Sequence, residues 1–159
     1  MSFDIYACSF RHGERFPIDE VAARAVMQDY SVRVHGDTYS GILLPGGGEI
    51  ETYDRWFRGE DTGPFDNMIF GSRGLGESHA EFLFRFCRAA GMLLIPFSSI
   101  GRVVATSEEQ LKHLPDMDTY DIVVARDPHS LLYALILEPA DWLREFGPFT
   151  RPRLRDPDY

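Results

Sequence analysis

A glycine-rich stretch, Gly71-Ser72-Arg73-Gly74-Leu75-Gly76, separates an apolar run ending at Phe70 from a helical pattern that begins near Ser78. A strand, a glycine turn and a helix N-terminus together offer free backbone N–H groups to an anion, and a nearby arginine adds charge. Gly71, Arg73, Gly74 and Gly76 are therefore the candidate anion-binding residues. The spacing is neither the dinucleotide fingerprint nor the P-loop, and no Lys-Ser/Thr pair follows, so a plain connector competes with this reading.

The five histidines, His12, His35, His79, His113 and His129, never pair at i, i+2 or i+4, so no local metal-ligand spacing exists. No metal or cofactor is assigned. A trio of His12, His35 and Glu51 across strands is the one metal arrangement left open, and His79, between Glu77 and Glu81, reads as an exposed capping residue. Nucleophile chemistry finds no support: Gly-x-Ser-x-Gly is absent, and Ser98-Ser99 before Ile100-Gly101 reads as a turn. Cys8 and Cys87 have no histidine beside them in sequence and read as buried thiols in a reducing compartment. No catalytic residue is named.

The acidic residues cluster. Glu49 and Glu51 alternate with Tyr53 onto one strand face and are expected to reach solvent together, with Asp54, Glu60 and Asp61 close behind. Trp56, Phe57 and Phe65 lie among them, which is the composition of an interface with an aromatic anchor inside a charged rim. Glu49, Glu51, Asp54, Trp56, Glu60 and Asp61 form the expected partner-binding set; an ordinary solvated strand face is the competing reading.

Bulk properties narrow the partner. A formal net charge of −9 opposes nucleic-acid binding, which needs a basic face, and suits a basic protein partner. Twelve phenylalanines suggest an aromatic-rich core or apolar surface kept for a partner, a second copy of the chain included. No apolar run reaches membrane-spanning length and no basic leader opens the chain, so no membrane partner and a cytoplasmic location are expected.

The elements that must position these residues follow from periodicity. Strands are expected over residues 3–10, 31–35, 39–44 and 49–53, the last three as an antiparallel meander split by Gly36-Asp37 and Pro45-Gly46-Gly47-Gly48. Pro17 is placed at the first helical position, with Ile18, Val21, Ala22, Ala25 and Val26 as the buried stripe. Residues 54–64 read as a loop with an aromatic anchor. Ser78 with Glu81 has capping-box spacing for a helix whose buried stripe is Leu83, Phe86, Cys87 and Ala90, and Gly91 ends it. Further strands are expected over 92–97, 102–106 and 121–126. Ser107 with Gln110 caps a short helix, Asp127-Pro128 starts another segment whose Leu131–Leu137 run fits helix or strand, and 139–146 is a last helix closed by Gly147. The expected fold is α+β, a mostly antiparallel sheet packed against helices. It has two strand-helix-strands halves in one domain over 1–147, and an extended C-terminal tail over 148–159.

The opening Met1-Ser2-Phe3-Asp4-Ile5-Tyr6, and Gly74-Leu75-Gly76-Glu77-Ser78 running into Ala89-Ala90-Gly91-Met92-Leu93-Leu94-Ile95-Pro96, resemble a group of small bacterial α+β proteins that serve as immunity partners of polymorphic toxins. The resemblance implies a non-catalytic inhibitor that occludes the active site of a cognate toxin. The alternative comes from the two-halves plan, which looks like the glyoxalase/bleomycin-resistance architecture. That family places metal-binding His, Gln or Glu on the outer strands of each half. Here the first strand offers none before His12 and Glu51 stands alone, which points to a metal-free small-molecule binder.

Overall fold

Strand-forming sequence dominates the chain, and it is gathered into one nine-stranded sheet. In the computed structural model, which describes residues 2–98 and 101–153, the strands are β1 (Phe3–Arg11), β2 (Glu14–Arg15), β3 (Ser31–His35), β4 (Tyr39–Leu43), β5 (Glu49–Thr52), β6 (Asn67–Ser72), β7 (Met92–Pro96), β8 (Arg102–Ala105) and β9 (Asp121–Val124). The helices are α1 (Glu20–Met27), α2 (Glu77–Ala90), α3 (Glu108–Leu111), α4 (Pro128–Ile136) and α5 (Pro139–Phe146). The spatial order is β3-β4-β5-β6-β1-β7-β8-β9, with β2 folded back on β1. Every pairing is antiparallel except β8 with β9.

The architecture is α+β, a single domain with five helices packed against an open, mostly antiparallel sheet. Each half runs strand, helix, strands, but β1 lies between β6 and β7. The two halves therefore interleave in one sheet rather than folding as separate modules.

Alternation along the strands sorts side chains onto two faces. Ile5, Ala7, Ile42, Ile50, Met68, Phe70, Met92, Leu94 and Val104 point to the main core, which α1, α2, α4 and α5 cover. The predicted stripe Leu83, Phe86, Cys87 and Ala90 is buried there. Trp56, Phe57, Phe70, Phe82 and Phe86 are linked by ring contacts at separations of 5.0–6.0 Å, with Phe86 touching the other four. Such pairs add about 0.5–1.5 kcal/mol each beyond area burial. On the opposite face a smaller cluster of Cys8, Leu93, Val103, Ala105 and Ile122 packs under Leu111, Leu114, Met117 and Tyr120, from α3 and the loop after it.

Several helix starts differ from the sequence expectation. Pro17 precedes α1 by three residues; Asp19 is the cap, its Oδ1 accepting from Ala22 N at 3.1 Å. The expected stripe shifts accordingly: Val21 is 83 % exposed, and Ala23 is the buried residue. Ser78 does not cap α2. Gly76 does, its N–H donating to His79 Nδ1 at 3.3 Å, while Ser78 Oγ donates to Pro45 O. His79 is thus no exposed cap, since its ring lies half-buried against Gly48. At α3, Gln110 reaches past Ser107 to accept from Thr106 N at 2.8 Å and to donate to Met92 O at 3.1 Å. Asp127 caps α4 through Ser130 N, and Leu131–Ile136 is helix.

The segment after α5 is extended and docked. Arg151 forms an antiparallel bridge with Ile122, and Arg153 clamps the buried Asp121 through its backbone N (2.9 Å) and Nη2 (3.0 Å). Phe149 and Trp142 stand on the Arg102 guanidinium, at 5.2 and 5.4 Å to their ring centroids. Residues 154–159 of the expected tail, Met1, and Ser99 and Ile100 of the expected turn lie outside the described residues. Among the described residues, no helix is long and apolar enough to cross a membrane.

Candidate functional site

Four helices and the turn at 55–58 pack on one face of the sheet, whereas α3 and its loop cover only the β1-β7-β8-β9 half of the other. The remaining half, over β3, β4, β5, β6 and the adjoining part of β1, is open among the described residues. Strand register fixes what it presents. One row reads Arg33, Gly41, Glu51, Gly71 and Asp4, each the cross-strand partner of the next. A second row begins His35–Tyr39 and ends Ile69–Tyr6. Tyr53, directly after β5, falls between them, with its ring 6.4 Å from Tyr39.

The second row is aromatic and accessible. His35 stacks on Tyr39 at 4.4 Å, and Tyr6 stacks on Phe97 at 6.3 Å. Tyr53 is 69 % exposed, Phe97 60 % and Ile69 42 %. Arg15 lies 5.4 Å from the Tyr6 centroid while pairing with Asp66 at 3.2 Å.

The first row is small and acidic. Glu49 folds over Gly41, its carboxylate occupying the space a Cβ there would take, and meets His35 Nε2 at 3.2 Å and Arg33 Nη1 at 3.6 Å. Glu49 therefore has an arginine within ion-pair range. Asp4 and Glu51 differ: neither side-chain carboxylate takes a hydrogen bond or ion pair among the described residues. They flank Gly71, where a Cβ would stand 3.2 Å from Asp4 Oδ1, and two strand spacings put their Cα atoms about 10 Å apart. Two carboxylates without a cationic partner on one face attract a cationic side chain.

The structure divides the expected partner-binding set. Glu49 and Glu51 sit on the open face. Asp54 instead accepts from Trp56 N at 2.9 Å, capping a 3₁₀ turn over Arg55–Arg58. Trp56 cannot anchor a partner, because it is fully buried: Arg24 lies 4.0 Å above its ring and its Nε1 donates to Glu20 at 2.7 Å. The apolar residues beside it in sequence turn toward the helical core, not toward the face that Glu51 occupies. Glu60 pairs with Arg55 and Asp61 caps Gly63 N, both on the loop that follows. Sequence reasoning missed Asp4, Tyr6, Tyr39, Ile69 and Phe97. Alternation placed each on a face, but only the strand order brings those faces side by side.

The glycine turn spends its own donors. Gly74 N points to Ser72 Oγ, which itself donates to Gly74 O, and Gly76 N goes to His79. Of the candidate anion-binding residues, Gly71 lies within β6 and Arg73 is exposed, so the stretch works as a connector. His12, His35 and Glu51 do not converge. His12 sits at the β1–β2 turn with its ring 5.3 Å from His113, whereas His35 lies on β3, four strand spacings or about 19 Å from β1. Among the described residues, no three His, Cys, Asp or Glu side chains gather as a metal-holding group.

Comparison with known proteins yields no relative. No family model, curated protein or solved structure matches the chain. The reading of the site therefore stands on its own geometry.

Burial sets the remaining chemistry. The Cys8 thiol is pushed up to about 11, and the wholly buried Cys87 thiol is raised further, both chiefly by desolvation. Neither is a thiolate at neutral pH. Burial also lowers the basicity of His79, opposed in part by a hydrogen bond with the Glu49 backbone.

Proposed function

We propose that this chain is a non-catalytic binding protein of the immunity type, which lays its open sheet face over the active site of a basic toxin. The observation that carries this reading is the uncovered half-sheet, where an aromatic row runs beside the unpaired Asp4 and Glu51. Rigid tyrosine and phenylalanine rings supply contact area at low entropic cost, and unpaired carboxylates select a cationic partner. The net charge of −9 speeds encounter with such a partner. A sheet braced by four helices is a stiff platform, and binding to it needs little ordering.

The test is co-expression with the product of the neighbouring toxin gene. Wild type is expected to restore growth and to bind the purified toxin in calorimetry. Glu51→Arg is expected to weaken binding tenfold or more, and Tyr53→Ala to cost about 2 kcal/mol, with the fold intact by circular dichroism. Undiminished rescue and affinity with both variants would sink the reading, as would a neighbourhood that encodes no toxic protein.

A further inference from the structure

A second concavity lies away from the open face, at the end of the sheet where the β1–β2 hairpin, the approach to α1, the C-terminus of α2 and the start of α3 meet. Its volume is about 500 Å³, within the range of small-molecule sites. Its apolar wall includes Phe10, Phe16, Ile18 and Leu93.

The polar groups around it are unevenly satisfied. The acceptors are engaged: Asp19 caps α1, Glu109 holds Lys112 at 2.7 Å and His113 at 3.7 Å, and the Gln110 carbonyl takes Thr106 N. The donors are not. Arg11 and Arg88 line the cavity, meet only aromatic rings (Phe16 at 4.5 Å and Phe84 at 5.7 Å), and find no carboxylate among the described residues. Ser9 lines the same cavity, and its hydroxyl has no hydrogen-bond partner among the described residues. Two free guanidiniums in one hollow are also out of character for a chain with 25 acidic and 16 basic residues.

We propose that this cavity binds a small organic anion with an apolar body. Arg11 and Arg88 hold the acidic head, the Ser9 hydroxyl donates to it, and Phe10, Phe16 and Leu93 cover the body. Guanidinium groups suit carboxylate and phosphate heads alike. The site is separate from the proposed docking face, so either assignment survives failure of the other.

The probe is 8-anilinonaphthalene-1-sulfonate, an aromatic anion, titrated by fluorescence against the folded protein, with neutral N-phenyl-1-naphthylamine as its uncharged counterpart. One saturable site is expected, with at least tenfold weaker binding of the neutral probe. In Arg11→Gln/Arg88→Gln, affinity for the anionic probe should fall at least tenfold with the circular dichroism unchanged. Both arginines are exposed, and the substitutions leave the core intact. Wild type supplies an independent arm: 1-naphthoate or 1-naphthyl phosphate should displace the probe, and the stronger competitor identifies the head group. Equal binding of both probes, undiminished affinity in the double variant, displacement by neither naphthyl anion, or no binding at all would overturn the proposal.

Discussion

The two halves of the sheet's second face carry opposite solutions to the same problem. Over β7, β8 and β9 the outward positions are Leu93, Val103, Ala105 and Ile122, and α3 with its loop closes over them. Over β3 to β6 the equivalent positions are Arg33, Gly41, Glu51, Gly71 and a row of rings, and nothing described covers them. The sheet edges differ in the same sense: Arg151 and Arg153 shield β9, while no further strand pairs with β3 among the described residues. Fold stability is concentrated where the face is closed, and the open half is left to be judged by what it binds. Uncovered edges and aromatic faces are features that proteins otherwise avoid, because they invite pairing with other chains.

Substitution at matched positions sharpens this contrast most. Ile122→Ala, in the closed half and fully buried, should lower unfolding free energy by about 2–5 kcal/mol. Tyr53→Ala, in the open half, should change it by no more than about 0.5 kcal/mol. Urea denaturation of both variants checks the pair, and equal losses would erase the distinction. The shielded edge comes next. Asp121→Ala leaves Arg153 without the carboxylate it grips and should cost about 1–3 kcal/mol, seen as a lower urea midpoint.

A smaller effect is pH dependence at the junction between α2 and the open half. Burial depresses the His79 pKa below its ordinary 6.5, so the folded protein binds this proton less readily than the unfolded chain. The stability that neutral His79 contributes is complete above pH 6.5 and is lost as pH falls through the depressed value. His79→Asn keeps an acceptor for Gly76 N and should flatten the stability profile below that pH, measurable by thermal melts. Last, neither Cys8 nor Cys87 should react rapidly with a thiol reagent at pH 8 until the protein unfolds, because burial raises both. Fast labelling of Cys8 in the native state would show that α3 and its loop open readily.

Much of the framework was legible because its causes are local. Three residues of alternation and a glycine turn suffice to mark β3, β4 and β5, and the stripe of α2 from Leu83 to Ala90 follows from helical period alone. Caps were less legible. Ser78 and Ser107 have the spacing of capping residues, yet His79 and Gln110 do that work because Gly48 and Met92 lie beside them in space. Trp56 illustrates the same limit: its acidic neighbours suggested a surface anchor, but the 3₁₀ turn delivers it to Phe86 and Glu20.

The amino-acid order by itself determined which residues share a strand face, where helices run, and that the chain is acidic and rich in rings. It could not determine which face would be covered. That was decided when β1 inserted between β6 and β7, placing Asp4 and Tyr6 beside Gly71 and Ile69, residues more than sixty positions away. Side-chain alternation is a property of the backbone and is written locally. Coverage depends on strand order, and strand order is fixed by long-range pairing that no short window of sequence contains.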